Sequence, residues 1–79
     1  MPPDPLLALI AETLLLPPDQ VDETAGAGRT ENWDSLRNMM IMMEVERAFG
    51  IKIAFKDYID AATVQGIRAL IAKSKARQT

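Results

Sequence analysis

Between Asp34 and Gly50 the chain writes SLRNMMIMMEVERAF, and this run constrains the fold more than any other stretch. With Leu36 set at zero and about 100° added per residue, Leu36, Met39, Met40 and Met43 fall on one arc of roughly 100°. Ile41, Met42, Val45 and Phe49 fall on a second arc of similar width, on the opposite side. Arg37 and Glu44 lie between the arcs on one flank, Glu46 lies on the other, and Arg47 lies beside the first arc. An ordinary helix of a small domain carries one apolar stripe and one wet face. A helix with two stripes either sits in the middle of a bundle, buried on most sides, or keeps one stripe for something else. The second arc is the better candidate for the core, because Val45 and Phe49 lead into an apolar connector containing Ile51 and Ile53. The first arc is then expected to be partly exposed. Its methionines are flexible and polarizable, which suits a surface that meets more than one partner.

The rest of the chain reads as further helices around this one. Asp4 supplies a capping carboxylate and Pro5 follows where its missing N–H costs nothing. Leu6, Leu9, Ile10, Thr13 and Leu14 recur at helical spacing until Pro17 and Pro18 stop them, which predicts a first helix over 4–16. Residues 17–33 show no sustained periodicity and are rich in proline, glycine and scattered acids, with Val21 and Trp33 as the sizeable apolar anchors. A structureless connection this long is uncommon in a compact domain and tends to be functional. Asp34 opens the second helix, over 34–49, and Gly50 is a typical left-handed residue to close it. A short third helix is expected over 55–60. Thr63 caps a last helix over 63–76, in which Val64, Ile67, Leu70 and Ile71 mark the buried stripe. The expected fold is all-α: one domain over 1–79, a small four-helix bundle with three main helices, a short third helix and a long first loop.

Composition narrows the function. At 79 residues the chain is near the lower limit for burying a core unaided. It has no cysteine and no histidine, so it lacks a thiol of its own, the usual general base and the usual metal ligand. Serine or cysteine hydrolases of the common kinds are excluded on that ground. The formal net charge of −2 argues against nucleic acid, whose phosphates require a basic face. The cations Lys73, Lys75 and Arg77 are read as complementing the dipole at the end of the last helix. The apolar N-terminal stretch carries Asp4 and Glu12 and no basic leading segment, unlike a signal peptide. No run is long enough to span a bilayer, so a cytoplasmic location is expected.

Asp34-Ser35-Leu36 at the start of the second helix resembles the signature of the acyl carrier proteins. A tripeptide alone is a weak motif. Its surroundings extend the likeness: the run SLRNMMIMMEVERAFGIKI matches the family's second helix and its exit without a gap. Ala62-Thr63-Val64-Gln65 sits where the family commonly writes T-V-Q at the cap of its last helix. The leucine-rich first helix and the long loop fit as well, so the resemblance covers essentially the whole chain. It implies that Ser35 receives 4′-phosphopantetheine from coenzyme A, installed by a separate phosphopantetheinyl transferase, with Asp34 and Leu36 as supporting motif residues. The arm's thiol would then hold an acyl or aminoacyl group as a thioester for acyl-activating and acyl-transferring enzymes. The protein itself would be a carrier and not an enzyme, and a monomer. The reactive sulfur would be imported, which answers the missing cysteine. By the same resemblance Leu36, Met39 and Met43 fall on apolar partner-docking positions and Glu46 on an acidic one, with Arg37, Met40 and Arg47 among them. The local physics is compatible: the first turn of a helix offers unsatisfied N–H groups and a dipole that favour a phosphate.

The chain also departs from the common pattern. Arg37 and Met40 stand where acids are frequent in the carriers of fatty-acid synthesis, and Arg47 follows Glu46. Two acids and two arginines between Ser35 and Phe49 leave this helix with no net charge. Electrostatic steering to a generic basic partner is therefore weak, and a specialised carrier whose partners read an apolar patch is expected. The approach Arg29-Thr30-Glu31-Asn32-Trp33 resembles that of stand-alone carriers of secondary metabolism and envelope synthesis, with Trp33 as a packing anchor for the loop. Phe55 and Tyr58 crowd the short third helix. Two rivals stay open at this stage: a carrier-like bundle that binds proteins without the arm, and an obligate homodimer that buries the methionine face against itself.

Overall fold

A computed structural model describes residues 4–77 and shows four α-helices. They are α1 (Pro5–Leu14), α2 (Ser35–Phe49), α3 (Phe55–Asp60) and α4 (Val64–Arg77), with no strand among the described residues. The Asp4 carboxylate caps α1 by accepting from the N–H groups of Leu6 (2.9 Å) and Leu7 (3.2 Å), ahead of Pro5. The helix ends at Leu14, two residues before the expected limit. Pro17 disfavours a helical Leu16, and the turn is closed before it by Leu15 in the left-handed region at φ 61°. The Leu16 N–H then donates back to the Ala11 carbonyl at 2.9 Å.

The long loop has more structure than its sequence suggests. Pro18–Gln20 forms a 3-10 turn, and Val21, Ala25 and Trp33 are buried in the core. The loop is also stitched to the start of α4. Ala27 N–H donates to the Ala62 carbonyl (2.9 Å) and Val64 N–H to the Ala25 carbonyl (3.1 Å), forming an isolated antiparallel bridge between Gly26 and Thr63. The backbones approach so closely that a Cβ on Gly26 would lie 2.9 Å from Thr63 Cγ2. That contact is why a glycine stands there.

One core joins the elements. Leu6, Ile10 and Leu14 of α1 belong to it with Ile41, Met42 and Val45 of α2, Ile51 of the connector, and Val64 and Ile67 of α4. Thr63 caps α4, its hydroxyl accepting from Gly66 N–H at 2.9 Å. Arg68 on α4 reaches across to Asp4 (2.7 Å) and to Glu23 of the loop (2.7 Å), linking three segments distant in sequence. The dipole role expected of Arg77 falls on a side chain outside the described ones. α3 differs from the other helices: none of its residues is buried and no side chain caps its start.

Candidate functional site

The first turn of α2 is built from its capping residue. Asp34 is extended, its carboxylate accepts from Arg37 N–H at 2.9 Å, and its carbonyl accepts from Asn38 N–H at 2.8 Å. These two bonds satisfy the third and fourth N–H groups of the helix start. The N–H groups of Ser35 and Leu36 have no partner among the described residues. Ser35 is the first residue of the helix and is exposed, and none of the hydrogen bonds among the described residues engages its hydroxyl. A hydroxyl oxygen thus stands exposed at the positive end of a long helix.

Trp33 holds this turn from behind. Its ring is buried at 2% exposure and its indole N–H donates to Asn38 Oδ1 at 2.9 Å. Asn38 Nδ2 in turn donates to the Tyr58 carbonyl on α3. Asn38, absent from the expected site residues, is the only buried polar side chain among the described residues. One signal was present: at about 200° from Leu36 it falls in the middle of the second arc, where every neighbour is apolar.

The two arcs of α2 separate cleanly. Ile41, Met42 and Val45 are fully buried, whereas Leu36 is 67%, Met43 57%, Met39 43% and Met40 41% exposed. Met40 and Met43 join Leu9, Leu15 and Ala48 in an open groove of about 650 Å³ between α1 and α2. The charged residues placed near this face by sequence have other engagements. Arg37 turns its guanidinium to the Thr13 carbonyl (2.9 Å), and Asn32 Nδ2 donates to the Leu14 carbonyl (2.8 Å), so both close the C-terminal end of α1. Glu46 uses both carboxylate oxygens internally, accepting from Ile53 N–H and from the Tyr58 hydroxyl, each at 2.8 Å. Burial first, and the Glu46 carboxylate second, push the Tyr58 hydroxyl pKa up. Arg47 pairs with Glu44 at 2.6 Å and holds that carboxyl below its usual range. The face therefore presents apolar side chains, with Glu44 and Arg47 paired to each other and Arg37 and Glu46 hydrogen-bonded to neutral groups of the chain. On α3, Phe55 and Ile59 are about 70% exposed, and Phe55 stacks on Tyr58 with ring centroids 5.9 Å apart.

The family model described as the phosphopantetheine attachment site matches residues 4–71, from the cap of α1 well into α4. The chain belongs to this family. Comparison with curated proteins returned no match. Members of the phosphopantetheine-attachment family carry 4′-phosphopantetheine covalently, are not themselves catalytic, and work with the enzymes of biosynthetic pathways. The residues of this carrier fit that group: α2 offers an unengaged hydroxyl beside two unpaired N–H groups suited to phosphate oxygens. Among the described residues no cluster of His, Cys, Asp or Glu is arranged to hold a metal, and no helix is long and apolar enough to cross a membrane.

Proposed function

We propose that this carrier bears its 4′-phosphopantetheine on Ser35, installed from coenzyme A by a separate transferase, and presents an acyl or aminoacyl thioester to partner enzymes. The arm supplies the thiol that the chain lacks. The observation that carries this reading is the exposed, unengaged Ser35 hydroxyl at the first residue of α2 within the matched family region. Asp34 orients the turn, and Ser35 and Leu36 N–H groups are the donors available to the phosphodiester.

A specialised role is favoured by the charge pattern of α2. Its two acids and two arginines leave no net charge for a partner's basic patch to read, and each of the four side chains has a hydrogen bond or ion pair within the chain. Leu36, Met39 and Met43 instead offer an apolar contact of modest size, suited to brief encounters that a monomeric cytoplasmic carrier makes with successive enzymes. The test is an intact mass after incubation with coenzyme A and a broad-specificity transferase. The unaltered chain gains one phosphopantetheine and Ser35→Ala gains none. Modification of Ser35→Ala overturns Ser35 as the attachment point, whereas an unaltered chain that gains nothing, with partner binding undiminished in Ser35→Ala and no modification in cells, overturns the reading in favour of an arm-free binding module.

A further inference from the structure

We propose that Asn38 is the positioning residue for the modification of Ser35, tying the turn that presents this serine to α3 through one buried amide. The inference rests on Ser35 as the attachment point and adds what holds that hydroxyl in place. Asn38 lies in the middle of the apolar face of α2, where a leucine or methionine would pack, yet it is polar and only 5% exposed. Both ends of its amide are used: the oxygen accepts from the indole of Trp33 at 2.9 Å, and the nitrogen donates to the Tyr58 carbonyl. A buried amide is tolerated only when satisfied, and here each bond reaches a different segment.

Trp33 is the residue immediately before the Asp34 cap. Its own backbone is bound to the loop, N–H to the Thr30 carbonyl and carbonyl to Gly28 N–H, each at 3.2 Å. These backbone bonds and the bond of its ring to Asn38 together hold the entry of the chain into α2, and with it the backbone of Ser35. α3 has no buried side chain and no side-chain cap. Among the described residues its side-chain hydrogen bonds to α2 are the Asn38–Tyr58 bond and that of the Tyr58 hydroxyl to Glu46. The Ser35 turn and α3 thus share the Asn38 side chain as a common strut.

The affected step is the transfer itself. The Ser35 Oγ–phosphorus bond forms and the pyrophosphate bond of coenzyme A breaks. Adenosine 3′,5′-bisphosphate leaves with the bonding pair, and the hydroxyl proton passes to a base of the transferase. A hydroxyl held out of line slows this step, whereas the exposed docking arc lies on the opposite side of α2 and is unchanged. The loss is therefore expected in kcat and not in KM.

The chain has a single tryptophan, so its fluorescence reports Trp33 alone. Asn38→Leu fills the space but makes neither bond. Its kcat for modification by the transferase, with coenzyme A saturating, falls on the order of tenfold or more, because small misplacements of a reacting group are costly. KM for the carrier stays within about twofold. Trp33 emission shifts and its quenching by acrylamide rises. Ile41→Val, a packing change on the same arc, keeps both kcat and emission. Trp33→Phe retains a ring without its N–H donor and is expected to lose kcat in the same way, which keeps the test alive if Asn38→Leu does not fold. A kcat within about twofold of the unaltered chain in a folded variant overturns the proposal. So does a loss carried by KM, or an equal loss in Ile41→Val. Failure of the unaltered chain to be modified at Ser35 removes the attachment reading and this inference with it.

Discussion

Met42 and Met43 are neighbours in sequence with opposite fates, 0% and 57% exposed, and glutamate at each tests the assignment of the two faces of α2. Met42→Glu removes a buried apolar side chain whose burial contributes about 1.5–3 kcal/mol. It also places a carboxylate among aliphatic side chains, at a cost of several kcal/mol more after relaxation. At roughly 0.05–0.15 kcal/mol per residue, a chain of 79 residues has only about 4–12 kcal/mol of total stability. Met42→Glu is thus expected to lose its cooperative melt at neutral pH. Met43→Glu changes a surface residue, so its stability stays within about 0.5 kcal/mol. The new carboxylate lies four residues before Arg47, an arrangement that offsets part of even that. What it damages is docking. A charge forced against an apolar contact costs at least about 1–2 kcal/mol at a central position, or tenfold or more in the transferase's KM for the carrier. Circular dichroism melts and steady-state modification rates measure the two effects separately. Unfolding of Met43→Glu, or a native-like melt of Met42→Glu, reverses the faces. A folded Met43→Glu used as well as the unaltered chain removes this arc from the docking surface.

Gly26→Ala places a methyl 2.9 Å from Thr63 Cγ2 and 3.2 Å from the Ala62 carbonyl, which the bridge to α4 holds in place. Calorimetry should show a loss of about 1–3 kcal/mol, with Thr63→Ser in the same chain restoring part of it by removing the opposing methyl; an unchanged melt refutes the close approach. The hydrogen bond from Arg68, foremost, holds the Asp4 carboxyl below its ordinary value of 3.8. The folded chain therefore binds fewer protons there than the unfolded one. The stability is present above 3.8 and is lost as pH falls through the lower folded value. Arg68→Met is expected to flatten this acid loss by a few tenths of a kcal/mol, since both partners are over one third exposed and the pair is screened. Melts of both chains across that window check it, and parallel curves remove Asp4 from the acid response.

Where a helix begins and which side of it is apolar are local properties, and they were legible. Asp4, Asp34 and Thr63 each cap a helix in the structure, Gly50 closes α2 in the left-handed region at φ 65°, and the Ile41–Met42–Val45 arc is the buried one. Less legible was the end of α1, because a non-glycine residue, Leu15, takes the left-handed turn that glycine usually supplies. The order of the loop leaves no periodic trace in the sequence, because it comes from backbone bonds to Ala62 and Val64, far along the chain.

The sequence by itself determined the all-α class, the Asp34 cap at the start of α2 and the lack of any cysteine thiol in the chain. Each follows from residue type and near-neighbour spacing. Only the tertiary structure decided what the charged and amide side chains of α2 do. Arg37 turns to the end of α1, Glu46 to the connector and Tyr58, and Asn38 bridges Trp33 and α3. A side chain's angle on a helical wheel tells which way its stem leaves the backbone. Where a long polar group finally rests depends on which distant carbonyl or N–H lacks a partner, and that is set only when the helices have packed.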